Sequence, residues 1–225
     1  MIKVSCIIPA YNEGPRLEKV INVAISHKLI DEVIVINDAS TDNTQEVIGR
    51  FPTIRFIEHS NNKGKSQSIY DGLKLALGEI IIMLDADLIG LTANNLDLLL
   101  EPVLNDKADI SVSLRINSPK IWRIIGLDFI SGERVFPKQL IDSQIDKIPY
   151  LPKFGLEVFL NNIIIKHRYR LKIVNWPNVI SPFKYKKHGL WSGFIGEIKM
   201  IADIFKTISP ITYVWQIFMM LRLKI

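Results

Sequence analysis

The sequence of 225 residues contains a single cysteine, Cys6, and therefore no intramolecular disulfide. A chain of this length buries roughly 70% of the surface that its unfolded form exposes, so the fold requires neither a disulfide nor a metal to be stable. The apolar run around Cys6 begins at the first residue, which leaves no room for the charged and apolar segments of a signal peptide. We therefore expect a cytoplasmic protein with a reduced thiol.

Long apolar runs are also missing, and acidic residues are rare near the C-terminus. No stretch reaches the roughly 18 uncharged apolar residues that indicate a membrane-spanning helix, because Pro210 and Gln216 interrupt the best candidate. Residues 166–225 contain 11 Lys and Arg but only 2 Asp and Glu, whereas residues 1–165 contain 17 and 21. A basic end suggests an anionic partner there, such as a lipid surface, a phosphate or nucleic acid.

The sequence has no Walker loop and no G-x-G-x-x-G turn, which argues against a P-loop nucleotide site and a Rossmann dinucleotide site. It has instead an alternation of strand-like and helix-like segments. The strand-like runs are continuously hydrophobic, as expected for strands covered on both faces. We predict an α/β fold with a doubly wound, mostly parallel sheet flanked by helices. The predicted strands are residues 2–8, 32–36, 53–57, 78–84 and 109–114.

The second half of the chain is less regular. We expect a helix at 154–165, then a strand pair within 169–183, and two C-terminal helices at 189–206 and 210–221. The predicted organisation is one domain at 1–206, divided into a donor half (about 1–115) and an acceptor half (about 116–206), followed by an apolar and basic C-terminal helix at 207–225.

Asp85 and Asp87 flank one small residue directly after a predicted buried strand. In an extended segment residues i and i+2 point to the same side, so the two carboxylates converge on one point. Two hard oxygen ligands suit Mg²⁺ or Mn²⁺, which leave coordination positions for substrate phosphates. A solvated acidic loop is the alternative, but ligands of parallel sheets bind beyond the carboxyl ends of strands, which favours the metal site.

Polar side chains follow the other predicted strands at the same edge of the sheet. Tyr11 and Glu13 follow the first strand, where a ring can stack on a base and a carboxylate can reach a sugar. Asp38 follows the second and suits either a nucleotide or an Asx-turn. Lys65 precedes a helix, a position that favours phosphate, although a solvated lysine fits the pattern equally well.

Four segments between residues 4 and 92 occur in a fixed order: IIPAYNEG, VIVINDASTDNT, NKGKSQSIYDGL and IIMLDADLIGLT. Together they resemble the nucleotide-diphospho-sugar domain of family 2 glycosyltransferases, which has the GT-A fold. Where many relatives have VDDGSTD, this chain has Asn37 and Ala39. The resemblance implies that Asp38 contacts the base and that Asp85 and Asp87 hold a metal on the diphosphate. It also implies that Lys65 lies near the diphosphate or the acceptor. The residues implied for the base and ribose pocket are Pro9, Ala10, Tyr11 and Glu13.

Two later segments, SGERVFPK (131–138) and FGLEVFLN (154–161), resemble acceptor-side motifs of dolichyl-phosphate sugar synthases and glucosyl-3-phosphoglycerate synthases. This implies transfer of a hexose from a UDP- or GDP-linked sugar with Mn²⁺ or Mg²⁺, and family 2 implies inversion. An inverting transfer to a hydroxyl needs a base. Glu157 is our candidate, because an apolar helix would raise its pKa, unless it faces water.

The acceptor remains open between two chemistries. A polyprenyl phosphate is already anionic and needs no base, and Arg134 would bind such a phosphate with two parallel hydrogen bonds. Retaining transfer to a small soluble acceptor fits the glucosyl-3-phosphoglycerate synthase likeness. A catalytically silent nucleotide-sugar-binding protein is a further alternative.

The basic C-terminal region contributes two more candidates. His188 follows the stretch KYKKH, and related metal-dependent transferases can use a late histidine as a third metal ligand; a surface histidine is the alternative. The segment 210–221 is apolar almost all round, with Thr212 and Gln216 as a narrow polar stripe, and is too short to span a bilayer.

This segment fits two environments. It lies in a membrane interface with Arg222 and Lys224 facing anionic lipid, which would place the protein peripherally on the inner face of the membrane, or it packs on the core or on a second copy in a homodimer. We do not expect nucleic acid as a partner, because exposed aromatic residues are not interleaved with the basic ones.

Overall fold

The computed structural model describes residues 2–152, 154–182, 204–205 and 207–225. Seven strands form one sheet in the order β3-β2-β1-β4-β6-β5-β7. The strands are β1 (Val4–Ala10), β2 (Glu32–Asn37), β3 (Arg55–Glu58), β4 (Ile80–Met83), β5 (Ile110–Arg115), β6 (Arg134–Pro137) and β7 (Leu171–Trp176).

Most neighbouring strands are parallel, as the sequence predicted. The exception is β6, which lies antiparallel between β4 and β5. The order of the strands reverses at β1, with β2 on one side and β4 on the other. Such a reversal opens a crevice beyond the carboxyl ends of the two strands. The residues that follow β1, β2 and β4 therefore converge there.

Helices cover both faces of the sheet, which confirms the doubly wound α/β fold. The first face packs against α1, α2 and α4, and the second against α3, α7 and α8. Within β1, Cys6 and Ile8 point to the first face and Ile7 to the second, and all three are fully buried. The helices are α1 (Gly14–Ile25), α2 (Thr44–Gly49), α3 (Lys65–Leu75), α4 (Ala93–Leu104), α5 (Lys120–Ile125), α6 (Gln139–Asp142), α7 (Gly155–His167) and α8 (Pro210–Leu223), with a 3₁₀ helix at Ile145–Tyr150.

The structure corrects the predicted strand pair near the end of the described region. Only β7 forms, parallel to β5, while residues 178–182 contribute a single antiparallel bridge between Ile180 and Ile89. Pro177 and Pro182 flank this segment, and proline has no N–H to donate to a strand ladder. The bridge nevertheless brings this part of the chain beside the loop that follows β4.

The C-terminal segment forms a helix, α8, at Pro210–Leu223, and its polar residue Gln216 does not face solvent. Gln216 is fully buried, and its Nε2 donates to the carbonyl of Val158 at 3.2 Å and to Oδ1 of Asn162 at 2.7 Å on α7. The stripe therefore faces the protein, and α8 packs on the core. None of the helices in the described part of the chain has the length and apolarity of a bilayer-crossing segment. Residues 189–203, most of the other predicted C-terminal helix, lie outside the described residues.

Candidate functional site

A cleft of about 480 Å³ lies beyond the carboxyl ends of β1, β2 and β4. It brings together every residue that the sequence assigned to the nucleotide and, with them, both members of the acidic pair. These residues are Pro9, Ala10, Tyr11, Glu13, Asp38, Lys65, Asp85 and Asp87. The strand-end rule is sufficient to assemble them, since they lie at or just after the carboxyl end of a strand, except Lys65, which begins α3.

Lys65, the first residue of α3, joins two parts of the cleft. Its ammonium donates to Oδ1 of Asp85 at 2.8 Å and to Oε1 of Glu157 at 3.1 Å. Burial disfavours the charge on Lys65, but the two carboxylates raise its pKa above the ordinary value. Glu157 is 4% exposed, which excludes the alternative that it faces water. The candidate base is therefore buried in an ion pair beside the acidic pair.

Arg115, at the end of β5, lies on the other side of Asp85. Its Nη1 is 2.8 Å from Oε1 of Glu133 and 3.8 Å from Oδ2 of Asp85. Burial opposes ionisation of Asp85, but Lys65 and Arg115 hold its pKa below the usual range. Sequence reasoning missed Arg115 and Glu133. The end of β5 pointed to Arg115, but no local signal shows that β6 brings Glu133 beside it.

Asp87 lacks a comparable cation. Its two carboxylate oxygens each lie 2.8 Å from the hydroxyl of Ser181, in the segment that Ile180 bridges to Ile89. Burial and the neighbouring charge of Asp85 raise the pKa of Asp87 to about 6. The negative charge at this point of the cleft is therefore only partly compensated.

The residues at this point fit a divalent cation. The oxygens of Asp85 and Asp87 are hard ligands, and a bound cation would relieve the uncompensated charge that raises the pKa of Asp87. Among the described residues, no group of three or more His, Cys, Asp and Glu side chains forms a metal site. Mg²⁺ and Mn²⁺ complete their coordination with water and substrate phosphates, so two carboxylates suffice. His188, the predicted third ligand, lies outside the described residues.

Asp38, which follows β2 and lines the cleft, is held by the loop before α3. Its Oδ1 accepts from Nδ1 of His59 at 2.7 Å and from the backbone N–H of Lys63 at 2.8 Å, and its Oδ2 accepts from the N–H of Gly64 at 2.8 Å. Tyr11, which follows β1 and also lines the cleft, is 40% exposed, so its ring is free to stack on a base. The cleft therefore combines an open aromatic ring with an oriented carboxylate.

Glu13, which follows β1, also lines the cleft. Its side chain is mostly buried and forms an ion pair with Arg16 on α1, and its backbone N–H donates to the hydroxyl of Thr44. Ala39, in the position where many relatives have glycine, has φ of 57°. This left-handed conformation explains why glycine is common there, because a side chain strains the backbone in this region.

The structure does not support the predicted acceptor role of Arg134. Its side chain is fully buried, and its guanidinium donates to the carbonyls of Ser131 and Phe129 and to Oδ1 of Asn161, all at 2.7 Å. All three nitrogens are therefore engaged within the protein, with no surface left for a phosphate. Arg134 fixes the loop before β6 to α7.

The described fold is similar to solved structures of glucosyl-3-phosphoglycerate synthase from Mycobacterium tuberculosis. One of them, in complex with Mn²⁺, uridine-diphosphate-glucose and phosphoglyceric acid, covers 92% of this chain with a TM-score of 0.69 and 20% sequence identity, and the match spans 79% of that chain. At this identity the likeness establishes the GT-A fold alone.

Two curated relatives match parts of the sequence. A UDP-N-acetylglucosamine–dolichyl-phosphate N-acetylglucosaminyltransferase from Methanococcus voltae is 31% identical over 137 residues, which are 52% of this chain and 53% of the relative. A dolichyl-phosphate beta-glucosyltransferase from Trichomonas vaginalis is 32% identical over 94 residues, which are 36% of this chain and 28% of the relative. The chain thus spans only part of the length of these relatives.

The model of glycosyl transferase family 2 matches residues 5–152, about two thirds of the chain. The matched region contains β1, from its second residue, to β6 and every residue that lines the cleft, but not Glu157 or Ser181, which contact Lys65 and Asp87. The chain belongs to glycosyl transferase family 2.

Proposed function

We propose that this chain transfers a hexose from a UDP- or GDP-linked sugar to a polyprenyl phosphate, with inversion at the anomeric carbon. The observation that carries the proposal is the shared lining of one cleft: Asp38 follows β2, Tyr11 follows β1, and Asp85 and Asp87 follow β4. Lys65 lies beside this acidic pair. A nucleoside diphosphate has an aromatic base at one end and two phosphates at the other. The cleft offers groups for both parts, a ring and a carboxylate for the base and a cation beside an acidic pair for the phosphates.

The diphosphate end supplies the charge chemistry. Asp85 and Asp87 would hold Mn²⁺ or Mg²⁺, which acts as a Lewis acid toward the charge that develops on the leaving diphosphate. The ammonium of Lys65 lies beside these carboxylates and is positively charged at neutral pH, so it provides a second cation for the same oxygens. Solved neighbours of the same fold were crystallised with Mn²⁺ or Mg²⁺ and uridine diphosphate, which supports a divalent cation here.

Two observations favour a phosphate acceptor over a hydroxyl. Glu157 already accepts from Lys65 at 3.1 Å, so it would have to leave this ion pair to take a proton. An anionic phosphate attacks without a base. The names of the curated relatives also state dolichyl phosphate as their acceptor. In this proposal Glu157 holds Lys65 in position and need not act as the base.

We further propose that α5 and α8 together attach the protein to an anionic membrane surface. The two helices contact each other through a hydrogen bond of 3.1 Å from Nε1 of Trp122 to the hydroxyl of Tyr213. The outward face of α8 carries exposed apolar side chains at i, i+3, i+4 and i+7, and α5 carries two exposed isoleucines. The members of this membrane-facing surface are Ile121, Ile124, Ile211, Val214, Trp215 and Phe218.

The charges around this surface favour anionic lipid over a neutral partner. Residues 120–126 and 209–225 contain no Asp or Glu, but they contain Lys120, Arg123, Arg222 and Lys224. Basic residues near an anionic bilayer contribute about 1 kcal/mol each, and tryptophan is enriched at membrane interfaces. A peripheral location of this kind would bring the cleft to a lipid acceptor.

The proposed reaction is tested in two steps. A thermal-shift screen of UDP- and GDP-linked sugars with Mn²⁺ should show stabilisation that rises with the logarithm of ligand concentration. With the selected donor, the purified protein should glycosylate polyprenyl phosphate and not 3-phosphoglycerate, and NMR of the product should show the inverted anomer. Donor binding without turnover of either acceptor would indicate a silent binding protein, and transfer to 3-phosphoglycerate would indicate the soluble reaction.

The Asp87→Ala variant separates the chemistry from the fold. It should abolish transfer while the melting temperature stays close to that of the wild type, whereas Asp142→Ala, a change at an exposed carboxylate on α6, should leave transfer unchanged. Full activity of the Asp87 variant would contradict the metal assignment.

The membrane proposal is tested by flotation with vesicles of phosphatidylcholine alone or mixed with phosphatidylglycerol. The wild type should float with the anionic vesicles, and Phe218→Glu combined with Ile124→Glu should reduce the bound fraction about tenfold. Leu77→Glu is the matched control, because Leu77 is an equally exposed apolar residue away from α5 and α8. Equal flotation of all three proteins, or a dimer in sedimentation that only the double variant disrupts, would refute membrane docking.

A further inference from the structure

Most hydrogen-bond acceptor positions of the Asp38 carboxylate are occupied by protein groups. A carboxylate offers about four acceptor positions, two on each oxygen. His59 and the N–H of Lys63 occupy both positions on Oδ1, and the N–H of Gly64 occupies one on Oδ2. One acceptor position therefore remains on Oδ2 of a side chain that lines the cleft.

The ring of His59 fixes the carboxylate of Asp38 from the side away from the cleft. The residue is 4% exposed, and its ring lies between two carboxylates, with Nδ1 2.7 Å from Oδ1 of Asp38 and Nε2 2.9 Å from Oδ2 of Asp71 on α3. Both contacts are hydrogen bonds only when both ring nitrogens carry hydrogen. The second oxygen of Asp71 accepts from Nε2 of Gln67 at 3.0 Å, which fixes that carboxylate in turn.

We infer that His59 is a positioning residue for nucleobase recognition. Asp71 orients the ring of His59, and His59 in turn fixes the carboxylate of Asp38, so that a single acceptor position is available to the base. The inference rests on the proposed function, because it assumes that a nucleotide occupies the cleft. His59 lies behind Asp38 and does not line the cleft. It therefore acts on the base through Asp38 and has no part in the transfer step.

A lone acceptor position selects the chemical class of the base. The central ring nitrogen on the pairing edge of uracil and of guanine carries a hydrogen, whereas that of cytosine is an acceptor. A fixed carboxylate oxygen binds the first kind and repels the second, since a buried acceptor facing another acceptor leaves both unsatisfied. A carboxylate that can rotate loses part of this discrimination.

Three variants at position 59 separate the two nitrogens of the ring. The amide nitrogen of asparagine takes the place of Nδ1 and can still donate to Asp38, whereas that of glutamine takes the place of Nε2 and can reach only Asp71. We expect His59→Ala and His59→Gln to weaken UDP binding, measured by calorimetry with Mn²⁺, by about tenfold or more, as the loss of one hydrogen bond to a charged group implies. We expect His59→Asn to restore most of the affinity.

The second readout is the ratio of UDP to CDP affinity, which should fall in His59→Ala and recover in His59→Asn, while kcat changes little and the KM for the donor rises. His27→Ala is the matched control: His27 is equally buried and faces Asp97, but it does not line the cleft. If His27→Ala and His59→Ala lower the melting temperature alike and both keep wild-type UDP affinity and base ratio, His59 is only structural and the inference is wrong. Equal effects of the asparagine and glutamine variants would also overturn it.

If the wild type binds neither UDP nor GDP, the proposed function is wrong, and this inference is wrong with it.

Discussion

The ammonium of Lys65 lies 3.1 Å from a carboxylate oxygen of Glu157, although 92 positions separate the two residues in the sequence. Lys65 begins α3 in the donor half, and Glu157 lies in the first turn of α7 in the acceptor half. The same ammonium contacts Asp85 at 2.8 Å. One cation thus connects Asp85, which is proposed to hold the metal, with a buried carboxylate of the acceptor half, so a substitution of either carboxylate changes the surroundings of Lys65.

Replacing Lys65 by methionine should therefore impair transfer more than donor binding. The change keeps the length of the side chain but leaves Asp85 and Glu157 without their shared partner. The loss of a charged hydrogen bond is worth about 1.5–3 kcal/mol, which corresponds to a decrease in rate of about ten- to a hundredfold. Steady-state kinetics measure the effect. Lys74→Met is the control, since Lys74 lies on the same helix in an exposed ion pair that contributes little; similar losses in both variants would argue against a special role for Lys65.

Gly132 should not tolerate alanine. A Cβ at this position would lie 2.7 Å from both Oδ1 of Asp85 and Nζ of Lys65, so one of the two side chains must move. We expect the ion pair between them to break and transfer to fall at least tenfold, with a small change in melting temperature. Gly49→Ala is the matched control, because a Cβ there meets nothing within 4 Å. Wild-type kinetics in Gly132→Ala would show that the pair is dispensable.

The binding of Mn²⁺ should weaken as the pH falls below about 6. Burial and the charge of Asp85 raise the pKa of Asp87 to about 6, so the carboxyl is ionised above that pH and protonated below it. A proton must leave before the oxygen can bind a cation, and the affinity should therefore fall by about tenfold per pH unit below the pKa. Titration of Mn²⁺ by electron paramagnetic resonance between pH 4.5 and about 7.5 measures this. Asp87→Asn should flatten the curve; an unchanged slope in that variant would assign the proton to another group.

Glycine in place of Ala39 should stabilise the protein slightly. At φ of 57°, a residue with a Cβ pays roughly 1–2 kcal/mol, while glycine pays about 0.5–1 kcal/mol in lost chain entropy. The expected gain is therefore up to about 1 kcal/mol, measured by urea unfolding. Ala24→Gly, within buried helix α1, is the opposite control and should destabilise the protein. A loss of stability in Ala39→Gly would mean that the methyl group makes contacts worth more than the strain.

The strand-end rule explains why much of the cleft was predictable. Asp38, Asp85 and Asp87 each follow a hydrophobic run that is long enough to be recognised locally, and parallel strands must carry such residues to one edge. The element boundaries were less exact. The fourth predicted strand, at 78–84, is observed only at Ile80–Met83.

The acceptor side was harder to predict because it depends on register and long-range pairing. The segment 131–138 was recognised, but consecutive strand residues point to opposite faces. Glu133 consequently reaches Arg115, and Arg134 turns into the core against Asn161. Ser181 contacts Asp87 because Ile180, after β7, forms a bridge with Ile89. No local sequence pattern predicts this bridge.

The antiparallel direction of β6 determines which of its two ends lies at the cleft. A parallel strand brings its carboxyl end to the cleft, but β6 brings its amino end, so the loop that precedes it supplies Gly132 and Glu133 to the site. That loop and α5 form one continuous excursion between β5 and β6, whereas the residues proposed to bind the base precede β5 in the chain. A change at Gly132, within this excursion, therefore reaches Asp85 and Lys65 without altering any residue of β1 or β2.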